Sequence, residues 1–236
     1  MPLLPPYPDR YRDLLKPLLV GLAAVLLVSA FAQLAAEIAE GDTRAFDMEV
    51  VHIAQSLRTG HRWLAEIMRD LSGLGSTTVL TLVTVIAAGY LALVAARTRG
   101  LLVAASVVSG SVLVGLFKAA FGRPRPDASF AELVAPGLSF PSGHASMSAI
   151  VFLTIGAITA STRSRPSERA YIMATAFVMT LLVGFSRVAL GVHWATDVLG
   201  GWVFGAGWAM AWLLLARRLA AHRDHAEKPG SDRQPA

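Results

Sequence analysis

The sequence predicts an all-α integral membrane protein, a bundle of six transmembrane helices with both termini in the cytoplasm. Three observations lead to this fold class. Of the 236 residues, 54% are hydrophobic and only 16% are charged, whereas a soluble domain carries about 25% charged residues. Six uncharged segments have the length of a membrane span, and the mean hydropathy of the chain is +0.54. The basic residues are distributed unevenly among the segments that connect these spans.

The six uncharged segments are each 17 to 21 residues long. An α-helix needs about 20 residues to cross the hydrocarbon core of a bilayer, and helices satisfy their own backbone hydrogen bonds in lipid. The first segment follows a polar leader of 16 residues, which favours an uncleaved helix over a signal peptide cleaved after residue 32. The predicted spans are residues 17–36, 76–96, 100–117, 145–162, 170–186 and 198–216.

Lysine and arginine residues favour one side of the membrane. The leader, the C-terminal tail and the segments after the second and fourth spans together contain 13 of the 21 basic residues. Cytoplasmic segments of membrane proteins are enriched in Lys and Arg, so both termini are expected in the cytoplasm. This topology, together with lipid headgroups as partners, accounts for the net charge of +5 without a nucleic-acid partner.

Three regions are predicted from these boundaries. Residues 1–16 are expected to form a short, irregular cytoplasmic leader, because they contain four prolines. Residues 17–217 form the membrane domain. Residues 218–236 are polar and are expected to be a disordered cytoplasmic tail.

The first outer loop, residues 37–74, contains two short amphipathic patterns. Apolar residues recur at helical spacing over residues 46–57 and again over residues 63–71. Such helices lie at the membrane interface. They could form a ledge at which lipids enter or a connector packed on the bundle, and the connector is the favoured interpretation.

A first cluster of functional residues lies at the outer end of the third span. Lys118, Arg123 and Arg125 are three cations within eight residues, and two of them lie in a proline-rich loop. The planar guanidinium pairs with two oxygens of a phosphate, and lysine adds a point charge. The cluster therefore predicts an anion-binding site, although cations at a span end also occur as simple interfacial anchors.

A second cluster lies directly before the fourth span. Ser142 is expected to cap the helix, so the free backbone N–H groups that follow it favour an anion. Gly143 lets the backbone approach a ligand closely. His144 falls in the first helical turn, where it could donate a proton or simply be an interfacial polar residue.

A third cluster follows the fifth span. Arg187 adds a further cation, and His193 and Asp197 are four residues apart. On a helix this spacing puts both side chains on one face. A carboxylate can then hold one imidazole nitrogen and leave the other with a free lone pair, whereas the alternative is a surface ion pair.

Taken in order, the three clusters resemble the type-2 phosphatidic acid phosphatase family, also called lipid phosphate phosphatases, which shares its site with vanadium haloperoxidases. The family's motifs are Lys, six residues and Arg-Pro; Pro-Ser-Gly-His; and Ser-Arg, five residues, His, three residues and Asp. All positions and spacings match. The matching residues are Lys118, Arg125, Pro126, residues 141–144, Ser186, Arg187, His193 and Asp197.

The resemblance implies a role for each matching residue. His193 would be the nucleophile that forms a phosphohistidine, and Asp197 would orient it. His144 would protonate the leaving alkoxide and then help to activate water. Arg123 lies outside the motif and is a candidate for an additional phosphate ligand. The phosphoryl oxygens would be held by Lys118, Arg125, Ser142, Gly143 and Arg187.

No cofactor and no metal ion is expected. The chain has no cysteine, which excludes a thiolate zinc site. Acidic residues near the motifs are few, and the clustered cations can supply the charge that a metal would bring. The remaining histidines lack a partner pattern and are expected to be structural or exposed; they are His52, His61, His222 and His225.

The predicted function is therefore that of a lipid phosphatase in the inner (plasma) membrane, with its active site on the extracytoplasmic face. Only 14 residues separate Pro126 from Pro141, too few for a lid domain, so the site is expected to be open. Candidate substrates are phosphatidic acid, phosphatidylglycerol phosphate and polyprenyl diphosphates. The alternatives are a lipid phosphotransferase with the same site, a haloperoxidase, which six spans disfavour, and a non-enzymatic membrane protein.

Overall fold

The computed structural model describes residues 10–94 and 97–226, and every regular element in this part of the chain is helical. The predicted all-α fold class is confirmed. A short 3-10 helix (Ala128–Phe130) lies between the fifth and sixth α-helices. The α-helices are α1 (Arg10–Glu40), α2 (Arg44–Gly60), α3 (Arg62–Leu74), α4 (Thr77–Val94), α5 (Arg97–Phe121), α6 (Gly143–Ser161), α7 (Pro166–Ala189) and α8 (Ala195–Ala226).

Six of the described helices contain segments long and apolar enough to cross a membrane, and each overlaps one predicted span. The third, fifth and sixth segments extend past the uncharged runs over basic residues, whose long side chains can reach the interface. Large apolar side chains on their surfaces are exposed, for example Leu93 at 88%, as expected where lipid is the solvent. The six segments are Leu18–Glu40, Thr77–Val94, Arg97–Phe121, Gly143–Ser161, Pro166–Ala189 and Ala195–Leu219.

The predicted leader and tail are partly helical, which corrects the expectation of an irregular leader and a wholly disordered tail. The first helix begins at Arg10, inside the predicted leader, and α8 continues to Ala226, inside the predicted tail. Once a helix is formed, each added residue costs little when it is a good helix former such as alanine, leucine or arginine. Residues 1–9, 95–96 and 227–236 lie outside the described part of the chain.

Helix α6 lies at the centre of the bundle, where it packs against α4, α5, α7 and α8. Its contact with α8 is close because α8 presents glycine twice, four residues apart. A Cβ atom on Gly201 would lie 2.9 Å from Ala145 Cβ, and one on Gly205 would lie 2.6 Å from the carbonyl oxygen of Ser146. Small residues at this spacing allow helix backbones to approach in membranes. The first turns of α6 and α8 are therefore adjacent.

The outer loop forms the two predicted amphipathic helices, α2 and α3. Both pack against α7, and α2 also contacts α8, as a connector packed on the bundle would. The buried face of α2 includes two charged residues, Asp47 and Arg58. Arg58 donates hydrogen bonds to the carbonyl oxygens of Ala189 and Phe130, which joins α2 to the end of α7 and to the 3-10 helix.

Candidate active site

The three sequence clusters converge at one end of the bundle. This end comprises the last turns of α5 and α7, which contain Lys118 and Arg187, and the first turns of α6 and α8. Ser142 occupies the N-cap position of α6 with an extended backbone, but its side chain makes no capping hydrogen bond, which corrects the predicted cap. Its N–H donates to the carbonyl oxygen of Asp197 at 2.9 Å. Antiparallel neighbours alternate direction, so helix ends that are far apart in sequence meet here.

The predicted pair of His193 and Asp197 is present and buried. His193 is 2% exposed and Asp197 is 0% exposed, and His193 Nδ1 lies 3.3 Å from Asp197 Oδ2. On the other side of the ring, Arg125 Nη1 lies 2.9 Å from Nε2. A guanidinium only donates, so Nε2 is the acceptor and Nδ1 carries the proton. Burial lowers the pKa of His193 to about 4, so the imidazole is neutral at pH 7 with its lone pair on Nε2.

Asp197 is held by three further donors. Its Oδ1 accepts from Arg123 Nη1 at 2.6 Å. Its Oδ2 accepts from the backbone N–H of Trp194 at 2.9 Å and from the hydroxyl of Ser139. Donors on both oxygens fix the carboxylate plane and hence the orientation of the imidazole bonded to it.

Arg123 is paired with two carboxylates. Its Nη2 lies 2.6 Å from Asp47 Oδ2 and its Nη1 lies 2.6 Å from Asp197 Oδ1. Because both terminal nitrogens are engaged by carboxylates, its candidate role as a phosphate ligand is corrected to that of a support behind Asp197. The sequence cluster was misleading here because two arginines two residues apart in an irregular loop point in different directions.

Lys118 and Arg125 are anchored by carbonyl oxygens of the loop that precedes α6. Lys118 Nζ donates to Leu138 O at 2.6 Å and to Ser139 O at 3.2 Å. A Cβ atom on Gly143 would lie 4.0 Å from Lys118 Cε, so the lysine stem passes beside the first residue of α6. Arg125 donates to three carbonyl oxygens, those of Pro136, Gly137 and Val192.

Two buried polar atoms of the site have no hydrogen-bond partner among the described residues. They are Arg187 Nε, although Arg187 Nη1 donates to Ser72 Oγ at 2.5 Å, and Ser142 Oγ. An unsatisfied buried polar atom costs about 1–3 kcal/mol. Phosphoryl oxygens accept from both groups, so these atoms fit a phosphate bound between α6 and α7.

His144 lies in the first turn of α6 and is partly buried. It faces Gly75, the residue after α3, because a Cβ atom on Gly75 would lie 3.2 Å from its Cδ2. The glycine therefore leaves room for the imidazole beside the site. The motif predicts that His144 belongs to the site, whereas nothing in the sequence indicates that Gly75 packs against it.

An open cavity of about 310 Å³ adjoins the site on the outer surface. It extends from Arg125 and Val192 to the loop after the 3-10 helix, where Leu133 and Val134 line it. The lining is largely apolar. The cavity could take the part of a substrate that lies next to its phosphate.

The other histidines lie away from the site. The ring of His52 packs edge-on against Phe130 at 5.0 Å, and His61 is exposed at the junction of α2 and α3. The side chains of His222 and His225 lie outside the described part. Within the described ranges, no group of three histidines or acids is placed to hold a metal ion.

Four residues that support the site were missed by sequence reasoning. Each acts through a predicted residue, and none belongs to a motif. For Asp47 a signal existed, since a carboxylate on the inner face of an amphipathic helix needs a buried cation. For the hydroxyls no such signal exists. The four residues are Asp47, Ser72, Ser139 and Thr196.

Residues 99–220 match the family model described as the PAP2 superfamily. Phosphatidylglycerophosphatase B of Bacillus subtilis is 35% identical over 186 residues, which cover 77% of this chain and 88% of that protein. An undecaprenyl-diphosphatase of Sulfolobus acidocaldarius is 35% identical over 68 residues, which cover 29% of each chain.

A solved structure has the same fold. The crystal structure of a transmembrane PAP2 type phosphatidylglycerolphosphate phosphatase from Bacillus subtilis superposes with a TM-score of 0.77. The sequences are 29% identical in this comparison, which covers 83% of this chain and 96% of the other. The similarity therefore includes almost the whole of that membrane domain.

Proposed function

Since the chain belongs to the PAP2 superfamily and is a multi-pass membrane phosphoric ester hydrolase, we propose that it releases phosphate from membrane lipids through a phosphohistidine. One observation carries this proposal above the others. The buried His193 is neutral at pH 7, its Nδ1 is held by Asp197, and its Nε2 faces a guanidinium. An imidazole in this state is a nucleophile placed beside a group that attracts phosphate.

The phosphoryl group is bound at the meeting point of four helix ends. Lys118, Arg125 and Arg187 neutralise its charge from the sides, and the N-terminus of α6 adds backbone N–H groups. The unpartnered Ser142 Oγ and Arg187 Nε supply two further donors. Donors fixed in place before the reaction stabilise the charge that develops on the equatorial oxygens in the transition state.

In the first step His193 Nε2 attacks phosphorus, and the bond from phosphorus to the lipid oxygen breaks. The proton of His144 goes to that oxygen, so the product leaves as an alcohol. Asp197 accepts the hydrogen bond of Nδ1 as positive charge develops on the ring. In the second step water attacks the phosphohistidine, His144 takes the proton from that water, and the bond from phosphorus to Nε2 breaks.

The proposed substrate is a lipid phosphate whose tails remain in the bilayer. The binding groups lie at the ends of membrane-spanning helices, and the adjoining cavity is mostly apolar. The Bacillus subtilis relative covered over most of its length is a phosphatidylglycerophosphatase. Phosphatidylglycerol phosphate is therefore the first candidate, followed by phosphatidic acid and polyprenyl diphosphates.

Purified protein in detergent is expected to release inorganic phosphate from these lipids in excess EDTA. Lys118, Arg125 and Arg187 supply the charge that Mg²⁺ brings in other phosphatases, and a divalent ion among them would be repelled. Vanadate is expected to inhibit, because its five-coordinate form resembles the transition state. The measurement is phosphate release from the three lipids and from soluble glycerol phosphate as the comparator.

Three results would contradict parts of this proposal. Loss of activity in EDTA with recovery in Mg²⁺ or Mn²⁺ would exclude the metal-free site. Transfer of phosphate to a lipid acceptor in preference to water would assign a phosphotransferase. Failure to release phosphate from every lipid tested would exclude the proposed function.

We also propose that the active site faces the extracytoplasmic side of the plasma membrane. Thirteen of the 21 basic residues lie in the segments on the opposite side from the site. A reporter enzyme that works only outside the cytoplasm is expected to be inactive when it is fused after Arg218, and active when it is fused within the loop at residue 134. An active reporter after Arg218 would reverse the topology.

A further inference from the structure

A buried carboxylate connects the outer helix α2 to the catalytic pair. Asp47 is only 1% exposed, although its helix lies outside the six spanning segments. Its Oδ1 accepts from the backbone N–H of Thr196 at 3.0 Å, and its Oδ2 accepts from the Thr196 hydroxyl at 2.6 Å. Arg123 Nη2 donates to Oδ2 at 2.6 Å. Asp47 therefore holds both the N-terminus of α8 and the guanidinium of Arg123.

The same guanidinium continues the connection to Asp197. Arg123 Nη1 lies 2.6 Å from Asp197 Oδ1 and 2.8 Å from Thr196 Oγ1. Its side chain is 13% exposed, and its planar fork has a fixed geometry. Carboxylate, guanidinium, carboxylate and imidazole thus form one hydrogen-bonded chain from α2 to His193.

We propose that Asp47 is a positioning residue for hydrolysis, which with Arg123 sets the orientation and charge of Asp197 and hence of His193. This inference rests on the proposed function. It assigns a supporting role to one residue of the loop 37–74, Asp47, although the loop contains none of the family's motifs.

The charges explain why a second carboxylate is needed. With Arg123 as its sole charged partner, Asp197 would be largely neutralised and would stabilise a positive His193 ring poorly. Asp47 shares the guanidinium charge, so Asp197 retains negative charge for the ring during attack on phosphorus. Three donors offset the cost of burying Asp47 itself.

Replacement of Asp47 by asparagine tests the proposal. We expect kcat to fall about 10- to 100-fold, the usual loss for a residue that orients a primary ligand. The KM and the inhibition constant of inorganic phosphate should remain within about twofold, because Asp47 bonds to none of the phosphate-binding cations. The matched control is Glu49→Gln, an exposed acid on the same helix, which should keep full activity.

A double-mutant cycle separates positioning from a general loss of structure. If Asp47 acts through Arg123, then Asp47→Asn combined with Arg123→Gln should be little worse than Arg123→Gln alone. Independent damage to the fold would instead give additive losses. If Asp47→Asn does not fold, Arg123→Lys, which has one nitrogen for two carboxylates, should show the same fall in kcat at constant KM.

The proposal is overturned by full activity of Asp47→Asn, by additive losses in the cycle, or by a raised KM at unchanged kcat. If Arg123→Lys is used in place of Asp47→Asn, full activity of that variant, or a raised KM at unchanged kcat, also overturns the proposal. An inactive wild-type protein would overturn the proposed function, and this inference with it.

Discussion

Replacement of His193 by alanine is expected to abolish phosphate release, with a loss of at least about 10⁴-fold in kcat. The lone pair of His193 Nε2 faces the guanidinium of Arg125 at the centre of the site. No metal ion that could activate water in place of this nucleophile is expected. The variant should also fail to form an acid-labile phosphoprotein. The wild type should become labelled when turnover of a phosphate-labelled lipid is stopped by denaturation at alkaline pH, where a phosphohistidine survives, and the label should be lost in acid.

The matched control is His52→Ala, because His52 is an exposed histidine on the same outer side of the molecule. It should retain both activity and labelling. More than about 1% of wild-type activity in His193→Ala, with its folding intact, would exclude His193 as the nucleophile.

Replacement of Asp197 by asparagine is expected to lower kcat by about 10³- to 10⁴-fold, the size of the loss when the orienting acid of a Ser-His-Asp triad is changed to its amide. The reason lies in the donors around it. An amide has one acceptor oxygen and one donor nitrogen, yet both carboxylate oxygens accept, one from Arg123 and the other from Ser139, His193 and Trp194. Either orientation of asparagine leaves a donor facing a donor.

The variant is expected to remain folded. An amide nitrogen that donates to Nδ1 would hold His193 in the other tautomer, in which Nε2 carries the proton and cannot attack. Activity and the thermal unfolding temperature should be measured together. The control is Asp127→Asn, an exposed acid that caps the 3-10 helix by accepting from the N–H of Ser129. A loss below about tenfold in Asp197→Asn would contradict an essential orienting role.

The six spans were predictable because lipid imposes one requirement on every segment, a run of apolar residues of about the right length. Helix ends were less predictable. The sequence around Arg10 and Ala226 contains charged residues, and a rule based on uncharged runs stops before them, whereas the helices continue into water.

In the site, the residues proposed to act on phosphate were identified from three motifs that resemble those of a known family. The pairing of His193 with Asp197 was predicted from a separation of four residues on one helix, and the contact is present, but His193 lies in the turn before α8 rather than on the helix itself. The role of Arg123 was not predictable, because it depends on Asp47, which is 76 residues away in the chain and reaches it only through the packing of α2 on α8.

The contact of Gly201 and Gly205 with α6 indicates which parts of the molecule tolerate substitution. It sets the close approach of α8 to the first turns of α6 within the packed interior. The surface loop of residues 127–135 lies outside this helix contact and is joined to the turn before His193 by a hydrogen bond from Glu132 N–H to the carbonyl oxygen of Leu190 at 3.0 Å. Under the proposed function, substitution of Leu133 or Val134, which line the cavity, is expected to change the preferred lipid and to leave the contact between α6 and α8 intact.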